Sequence, residues 1–336
     1  MRLLIVGNRG GTNVGECFER AAIASGLEVR LLDAQKAMQA PAWLRRFNWH
    51  FRGHRPTRLV AFSRAVHQEC DQWRPDILLT TGHSPVTQQC LARIRSQGVV
   101  ALNYLTDDPW NRIHYCRWFM EAVGEYDFVF SPRRANMAQL KAARCKAVAY
   151  LPFAYDPYLH FVERTNPSTT ECDSEVLFIG GADRDRLPYC HAIIKAGLKL
   201  SVYGDYWDRY SQTRSCFRGY ADVRVLRVAT AAANICLCLV RRSNRDGHVM
   251  RSFEAPAMGG CMLIEDTPEH QEIFGPDGEV VLYFRSIPEM LDRGRWLLQH
   301  EAERKRLAAA AYLRITNGRN TYADRLKTML QTTVRR

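Results

Sequence analysis

The chain has 336 residues, of which 46% are hydrophobic, and its 47 basic and 35 acidic side chains give a formal charge of +12. This length suggests two domains. No apolar run approaches the length that spans a bilayer. The eleven cysteines form no CxxC pair that would indicate a zinc site. Most basic residues are arginines, which bind phosphate and carboxylate groups through a planar fork, so an anionic substrate, an acidic membrane surface and nucleic acid all remain as partners.

The first part of the chain alternates short apolar runs with amphipathic segments, a pattern typical of a doubly wound parallel sheet. Residues 1–152 therefore form a predicted N-terminal Rossmann-like domain. Its six predicted strands lie at residues 2–6, 28–32, 76–81, 99–105, 126–130 and 147–151.

Three strand ends of this domain carry candidate residues, because open α/β sheets bind ligands at their carboxyl edge. Gly10 and Gly11 follow the first strand without GxGxxG spacing, so the loop is either a tight turn or a set of main-chain donors for a ligand. His83 follows a later strand and has either a structural or a site role. Asp107 and Asp108 can bind an acceptor hydroxyl or act as a base, or they can form a capping turn before proline.

Residues 41–58 interrupt this alternation with aromatic side chains, Trp43, Phe47, Trp49 and Phe51, interleaved with five arginines. Two interpretations stay open. The segment is an exposed patch for an anionic acceptor or a membrane surface, or it is a helix whose aromatic side chains pack inward while its arginines are solvated.

The rest of the chain predicts a linker, a second domain and a helical tail. Residues 153–174 contain turn-forming side chains and predict the linker. The strand–helix alternation then restarts, so residues 175–315 form a second Rossmann-like domain, and residues 316–336 form a C-terminal helix that can pack back on the first domain. The strands of the second domain are predicted at residues 175–179, 199–203, 223–225, 235–240, 261–264 and 280–283.

Glycines and arginines lie in the loops beside the predicted strands of the second domain. Arg184 and Arg186 follow its first strand and can neutralise a pyrophosphate, and Arg251 can join them. The alternative for each arginine is a surface charge. The glycine-marked breaks are Gly180-Gly181, Tyr203-Gly204 and Gly259-Gly260.

The stretch from Asp246 to Asp266 has the order acidic loop, short helix, glycine break and strand. Asp246 and Glu254 lie eight residues apart with Arg251 between them. Both carboxylates can face one side, and a helix N-terminus attracts phosphate. We interpret the stretch as a sugar-nucleotide site in which Glu254 accepts hydrogen bonds from a ribose, with a salt bridge inside the helix as the alternative.

The sequence from Asp246 through Asp266, continuing as EHQEIFGPDGEVVLYFRSIPEMLD and later NTYADRL, resembles the glycosyltransferases that look like spore-maturation proteins. FIGGADRDR and LKLSVYGDYW resemble other motifs of that family, which is related to the family 4 retaining glycosyltransferases. The first domain shares only TDDP and LPFAYDP. The resemblance implies the GT-B fold, an α/β architecture in which two Rossmann-like domains face a cleft.

The resemblance also implies roles for single residues. The second of two acidic residues separated by seven contacts the nucleotide ribose, which corresponds to Glu254. The first contacts the donor sugar, which corresponds to Asp246, where broader family 4 members carry glutamate. Arg186, with Arg184 beside it, corresponds to a phosphate-binding arginine, and His83 to a histidine near the donor sugar. The candidate catalytic residues are thus Asp246, His83 and Asp108.

We therefore predict a glycosyltransferase that moves a sugar from a UDP-, GDP- or dTDP-sugar to a hydroxyl of a sugar, lipid or protein. The resemblance implies retention, whereas Asp108 or His83 acting as a base would suit inversion. The second domain is rich in arginines that can bind phosphate without a cation, so we expect no metal and no cofactor besides the donor. We expect a cytoplasmic location or one at the inner face of the membrane, peripheral membrane contact through residues 42–58, and no specific nucleic acid.

Two other classes of function stay open. One is an enzyme of a different type, a GT-B-fold sugar-nucleotide epimerase or a nucleotide-dependent oxidoreductase, and the poor match of the first glycine loop to GxGxxG argues against the latter. The other is a basic module that binds a membrane or nucleic acid through residues 42–58 without catalysis. This last reading explains the basic patch but not the stretch from Asp246 to Asp266.

Overall fold

The computed structural model describes residues 1–163 and 174–334. The chain forms two compact units, of which the first contains Met1–Pro152 and the chain from Tyr322 onward, and the second contains Phe153–Thr321. Part of the predicted linker, residues 164–173, lies outside the described residues, and residues 153–163 belong to the second unit.

The first unit is built on a parallel sheet of six strands. All six strands were predicted from apolar runs, and the inner ones are buried on both faces, as Leu3, Leu4, Ile5 and Val6 illustrate. The spatial order is β2-β1-β3-β4-β5-β6, so the direction of winding reverses between β1 and β3. The strands are β1 (Arg2–Gly7), β2 (Glu28–Asp33), β3 (Ile77–Thr81), β4 (Val100–Tyr104), β5 (Phe128–Ser131) and β6 (Val148–Tyr150).

Helices cover this sheet, and the last helix of the chain is among them. The rings of Phe18 and Tyr322 meet edge to face at 5.2 Å, which joins the last helix to the first. The helices of the first unit are α1 (Val14–Ala24), α2 (Ala42–Phe51), α3 (Leu59–Trp73), α4 (Gln88–Ser96), α5 (Arg117–Ala122), α6 (Met137–Ala142) and α13 (Tyr322–Val334).

The second unit has a five-stranded parallel sheet in the order β11-β10-β9-β7-β8, with its reversal between β7 and β9. Its strands are β7 (Ser174–Ile179), β8 (Leu200–Tyr203), β9 (Ala233–Cys238), β10 (Met262–Glu265) and β11 (Leu282–Phe284). Its helices are α7 (Leu187–Lys195), α8 (Val223–Ala232), α9 (Arg251–Ala257), α10 (Pro268–Phe274), α11 (Ile287–Gln299) and α12 (Glu301–Thr316). The predicted class, two doubly wound α/β domains with a helical C-terminal tail, is confirmed.

One predicted strand is wrong, because residues 223–225 begin helix α8. The side chain of Asp222 accepts a hydrogen bond of 2.8 Å from the main-chain N–H of Val225, which caps the helix. Helix α10 was not predicted. It begins at Pro268 after Thr267, whose hydroxyl caps the N–H of His270 at 3.1 Å.

The segment at residues 41–58 contains helix α2, and its aromatic side chains do not pack inward. The exposed fractions are 69% for Trp43, 48% for Phe47, 48% for Trp49 and 77% for Phe51. The inward-packed interpretation is therefore wrong, and the exposed patch is the arrangement that the structure has. Among the described residues, no helix combines the length and apolar character that crossing a bilayer requires.

Candidate functional site

Two loops meet at the carboxyl ends of β7 and β9 in the second unit. β7 lies between β8 and β9 in the sheet, so the connections that leave β7 and β9 diverge and open a crevice at that edge. Residues 180–186 follow β7, and residues 239–246 follow β9. Nε of Arg241 lies 3.3 Å from Oδ2 of Asp183, which joins the two loops.

Arg186 and Arg241 form a pair of cations in this crevice. Burial lowers the pKa of Arg186, and the neighbouring charge of Arg241 lowers it further. Nη1 of Arg186 donates a 3.0 Å hydrogen bond to the main-chain oxygen of Gly181 and lies 3.6 Å from Oδ2 of Asp183. Its Nε is buried and, within the described residues, has no hydrogen-bond partner. The open donor of Arg186 and the second guanidinium beside it favour the binding of an anion.

Asp183 holds the loop that carries Arg186. Its Oδ1 accepts hydrogen bonds from the main-chain N–H groups of Asp185 at 3.0 Å and of Arg186 at 2.9 Å. The turn therefore places Arg186 directly before helix α7. Arg184, in the same turn, is exposed.

Four predicted donor residues lie together at the ends of β7 and β8. The N–H of Gly180 donates to the main-chain oxygen of Tyr203 at 2.9 Å. Gly204 has φ +127°, and a Cβ there would lie 2.6 Å from the oxygen of Gly180. No side chain fits at this position, so glycine lets the two strand ends approach. Gly181 follows Gly180 and supplies the carbonyl that binds Arg186.

Asp246 belongs to the same crevice. Its main-chain N–H donates to the oxygen of Arg241 at 3.2 Å, and its carboxylate accepts a 3.3 Å hydrogen bond from Asn244. The charge of Asp246 acts to raise the pKa of Arg186, against the larger effect of burial. Asp246 is partly exposed, so its carboxylate is accessible beside the arginine pair.

The loop that holds Arg241 and Asp246 is anchored by Glu265 at the end of β10. Oε2 of Glu265 accepts a 2.9 Å hydrogen bond from the N–H of Val240, and its Oε1 accepts one of 2.8 Å from Arg242. The same nitrogen of Arg242 donates to the hydroxyl of Tyr189 at 2.8 Å. The first half of the loop is thereby tied to β10 and to α7.

Glu254 is completely buried in helix α9. It forms an ion pair with Arg251, which lies three residues earlier, and its Oε1 is 3.5 Å from Nε2 of His160. Nδ1 of His160 accepts a hydrogen bond from the N–H of Asp156 at 3.0 Å, so the proton of a neutral ring is on Nε2 and faces Glu254. Arg251 and His160 thus hold the carboxylate.

Gly259 and Gly260 lie elsewhere, at the amino end of β10. Gly259 ends helix α9 with φ +84°, and a Cβ on Gly260 would lie 2.7 Å from Sγ of Cys236. The glycine pair therefore forms a tight turn packed against β9. The structure does not bring it to the carboxyl edge that holds Gly180 and Gly204.

In the first unit, His83 follows β3 at the reversal point of the sheet. Burial lowers its pKa to about 4, and the nearby carboxylate of Asp107 offsets part of this effect. The ring lies 4.7 Å from that of Phe119. Its Nε2 is buried without a hydrogen-bond partner in the described part of the chain. His83 is therefore neutral at pH 7, and its Nε2 is not used by another described group.

Asp107 and Asp108 have different environments. Oδ1 of Asp107 lies 3.9 Å from Nε2 of His114, and both side chains are partly exposed. Asp108 is buried, and its Oδ1 accepts a 3.0 Å hydrogen bond from the N–H of Trp110. The carboxylate of Asp108 is thus engaged in the turn that the sequence left open as an alternative.

Gly10 and Gly11 lie in the exposed loop after β1, with φ values of +91° and +57°. The N–H of Gly10 donates to the carboxylate of Glu16 on α1. A Cβ on Gly7 would lie 2.8 Å from Cα of Gly15, so β1 and α1 approach each other closely through two further glycines. The loop presents glycine main chain at the same sheet edge as His83.

The sequence interpretation missed three residues of these sites: Arg241, His160 and His114. Arg241 directly follows the predicted strand at 235–240, so the strand-end rule that selected Arg186 applied to it as well. His160 and His114 lie in irregular segments and carry no sequence signal. Across residues 1–163 and 174–334, no group of three His, Cys, Asp or Glu side chains is placed to hold a metal ion.

Comparison with protein families gives one match. Residues 186–331 match a family described as glycosyl transferase-like. No curated protein matches the sequence. The matched residues include Arg186, Arg241, Asp246 and Glu254.

Comparison with solved structures gives matches over the whole chain. A sucrose-phosphate synthase from Thermosynechococcus elongatus has a TM-score of 0.71 at 15% identity, with 99% of this chain and 98% of that chain covered. Anabaena Alr3699/HepE in complex with UDP and glucose has a TM-score of 0.66 at 11% identity, with full coverage of both chains. A glycosyltransferase from Rickettsia africae has a TM-score of 0.65 at 10% identity, covering 98% of this chain and 97% of that chain.

These matches confirm the GT-B fold and the predicted resemblance to GT-B glycosyltransferases. The family match agrees with the prediction of an enzyme of the glycosyltransferase class, which is confirmed at this level.

Proposed function

We propose that the protein transfers a sugar from a nucleotide-diphosphate sugar to an acceptor hydroxyl. The observation that carries this proposal is the buried Nε of Arg186, which lies beside Arg241 at the reversal point of the second sheet and has no hydrogen-bond partner within the described residues. A pyrophosphate accepts bidentate hydrogen bonds from guanidinium groups, so it can use this donor and the neighbouring Arg241 together.

Asp246, Glu254 and Arg184 are the residues that we propose for the other parts of the donor. Asp246 is partly exposed and joined to the Arg241 loop, so its carboxylate can accept hydrogen bonds from sugar hydroxyls. Glu254 is a buried carboxylate held by Arg251 and His160, and it binds the two ribose hydroxyls when the nucleotide enters. Arg184 meets the outer phosphate oxygens from its exposed position.

Departure of the nucleoside diphosphate leaves negative charge on the phosphate oxygens. Arg186 and Arg241 stabilise that charge without reorganising, because Asp183 and Gly181 already hold them in place. We therefore propose a reaction that needs no metal ion. We also propose retention, in which a phosphate oxygen of the leaving group takes the proton of the acceptor hydroxyl.

In the first unit, we propose that Asp107 and His83 act on the acceptor side together with the Gly10–Gly11 main chain. Asp107 is partly exposed and next to His114, so it can accept a hydrogen bond from an acceptor hydroxyl. His83 is neutral at pH 7 and can donate or accept a hydrogen bond without adding charge. Residues 1–152 are thus the proposed acceptor domain and residues 175–315 the proposed donor domain, and the protein acts in the cytoplasm or at the inner face of the membrane.

A panel of UDP-, GDP- and dTDP-sugars tests the proposal. UDP-sugars come first, because the Anabaena protein of the same fold was solved with UDP and glucose. We expect one nucleotide class to raise the melting temperature and its sugar to be hydrolysed slowly without an acceptor. If no nucleoside diphosphate binds, the proposal fails. A sugar isomer that stays on its nucleotide would instead identify an epimerase.

A further inference from the structure

Helix α2 carries an apolar ridge that no described residue of the first unit covers. Trp43, Phe47 and Phe51 follow each other at intervals of four residues, which places them along one side of the helix. The rings of Phe47 and Phe51 touch, with centroids 5.3 Å apart, and all three side chains are exposed. Exposed apolar surface of this continuity marks an interaction site.

The ridge is surrounded by positive charge. Residues 41–58 contain five arginines and no acidic residue, and all five guanidinium groups belong to exposed residues: Arg45, Arg46, Arg52, Arg55 and Arg58. The partner of this surface must therefore combine an apolar layer with negative charge.

A second segment of the first unit extends the surface. A Cβ on Gly53 would lie 3.7 Å from Cβ of Arg117, so the chain after α2 adjoins the segment at residues 112–117. That segment exposes Ile113 and Tyr115 and the charges of Arg112 and Arg117. We call residues 42–58 and 112–117 together the α2 surface.

We infer that the α2 surface docks the protein on an anionic lipid bilayer, with its aromatic side chains at the level of the headgroups and its arginines on lipid phosphates. Aromatic and arginine side chains on a short helix suit such an interface. Nucleic acid is the weaker candidate, because bases stack on rings that stand apart, whereas the Phe47 and Phe51 rings pack against each other.

The docked orientation has a consequence for the acceptor, and this step rests on the proposed function. His114 belongs to the α2 surface and lies 3.9 Å from Asp107, the proposed acceptor-side carboxylate. A bilayer that contacts residues 112–117 therefore lies beside the acceptor residues. The acceptor class that fits this geometry is a hydroxyl carried by a membrane lipid.

Co-sedimentation of the full chain with vesicles tests the docking. The vesicles contain phosphatidylcholine alone or phosphatidylcholine with phosphatidylglycerol, at low and high salt. The wild type should bind the anionic vesicles and lose binding as salt rises. Each arginine near an anionic surface contributes about fivefold in affinity, or about 1 kcal/mol, so R45Q/R46Q/R52Q should bind roughly a hundredfold less tightly.

Two further variants test whether binding depends on the apolar ridge of α2 and on the position of the arginines, or only on the net charge of the protein. W43S/F47S/F51S removes the ridge at constant charge and should also lose roughly a hundredfold or more in affinity. R214Q/R224Q/R295Q removes the same number of positive charges from exposed sites of the second unit and should bind like the wild type. Circular dichroism and UDP binding, unchanged in all three, exclude misfolding.

The inference is overturned if the wild type ignores anionic vesicles, if the control variant loses as much affinity as R45Q/R46Q/R52Q, or if single-stranded nucleic acid competes the protein off the vesicles through the same residues. The outcome is independent of the donor. Nucleotide binding without vesicle binding refutes the docking alone, and vesicle binding without any nucleotide binding refutes the proposed function alone.

Discussion

Arg241→Ala is the sharpest test of the donor site, since Arg241 lies beside Arg186 and shares the carboxylate of Asp183 with it. The substitution removes one of two cations that face the proposed pyrophosphate. A hydrogen bond to a charged group contributes about 1.5–3 kcal/mol. Without Arg241, however, Asp183 can turn fully to Arg186, which now lies 3.6 Å away, and this reduces the charge left for the ligand. We therefore expect a loss of about 2 to 3 kcal/mol, or roughly a 30- to 150-fold weaker Kd.

The fold should tolerate the same substitution. Arg241 and Asp183 are both partly exposed, and the ion pair of such side chains contributes less than about 1 kcal/mol to the free energy of unfolding. The melting temperature should thus change little while nucleotide affinity falls. Arg241→Lys keeps the charge but loses the planar fork, so its Kd should lie between those of the wild type and Arg241→Ala.

Isothermal titration of UDP into each variant, with GDP and dTDP in parallel, measures the effect. Arg224→Ala is the matched control, because Arg224 is an exposed arginine of the same unit, on helix α8. If Arg241→Ala binds nucleoside diphosphate as tightly as the wild type, the anion site is not between the β7 and β9 loops. Equal losses in both variants would indicate a general charge effect instead.

Glu254→Gln should weaken UDP binding by tenfold or more, because a neutral amide replaces a carboxylate that accepts hydrogen bonds from two ribose hydroxyls. Calorimetry measures the Kd, and an unchanged Kd would show that Glu254 does not bind the ribose. Gly204→Ala should lower the free energy of unfolding by more than about 2 kcal/mol, because its Cβ would lie 2.6 Å from the oxygen of Gly180. Gly197→Ala is the control, since Gly197 has a positive φ but open space around it, and it should cost only about 1 kcal/mol. Similar losses for both variants in urea titrations would contradict the packing argument. His83 has a pKa lowered from 6.5 to about 4 in the folded state, so its contribution to stability is complete above pH 6.5 and is lost as the pH falls towards 4, by up to roughly 3 kcal/mol. Urea titrations over this range should show a smaller loss for His83→Gln, and an identical pH dependence in both proteins would refute the assignment.

Much of the secondary structure follows from the sequence because buried parallel strands leave a strong local signal. The run RLLIV before the first glycine loop is apolar at every position except its first residue, which only a strand covered on both faces requires. Residues 223–225 show the limit of such reasoning. Val-Arg-Val alternates like a strand, but Leu226, Ala229 and Thr230 are buried with helical spacing, and the cap at Asp222 selects the helix.

The glycine pairs show how a similar motif acquires different meanings. Gly180-Gly181 and Gly259-Gly260 look alike in the sequence, and both adjoin predicted strands. The first pair follows a strand and the second precedes one. In a parallel sheet these positions lie at opposite edges, so only Gly180-Gly181 shares the edge of Arg186 and Asp246.

By itself the sequence determined most of the strand and helix alternation and the two-domain class, because hydrophobic periodicity is a local property. Only the tertiary structure decided that Arg241 meets Asp183, 58 residues earlier in the chain. That contact depends on β7 and β9 being neighbours, and strand order is set by how the intervening helices pack across the sheet. The exposure of the α2 aromatic side chains was decided in the same way, since burial depends on whether another element covers a face.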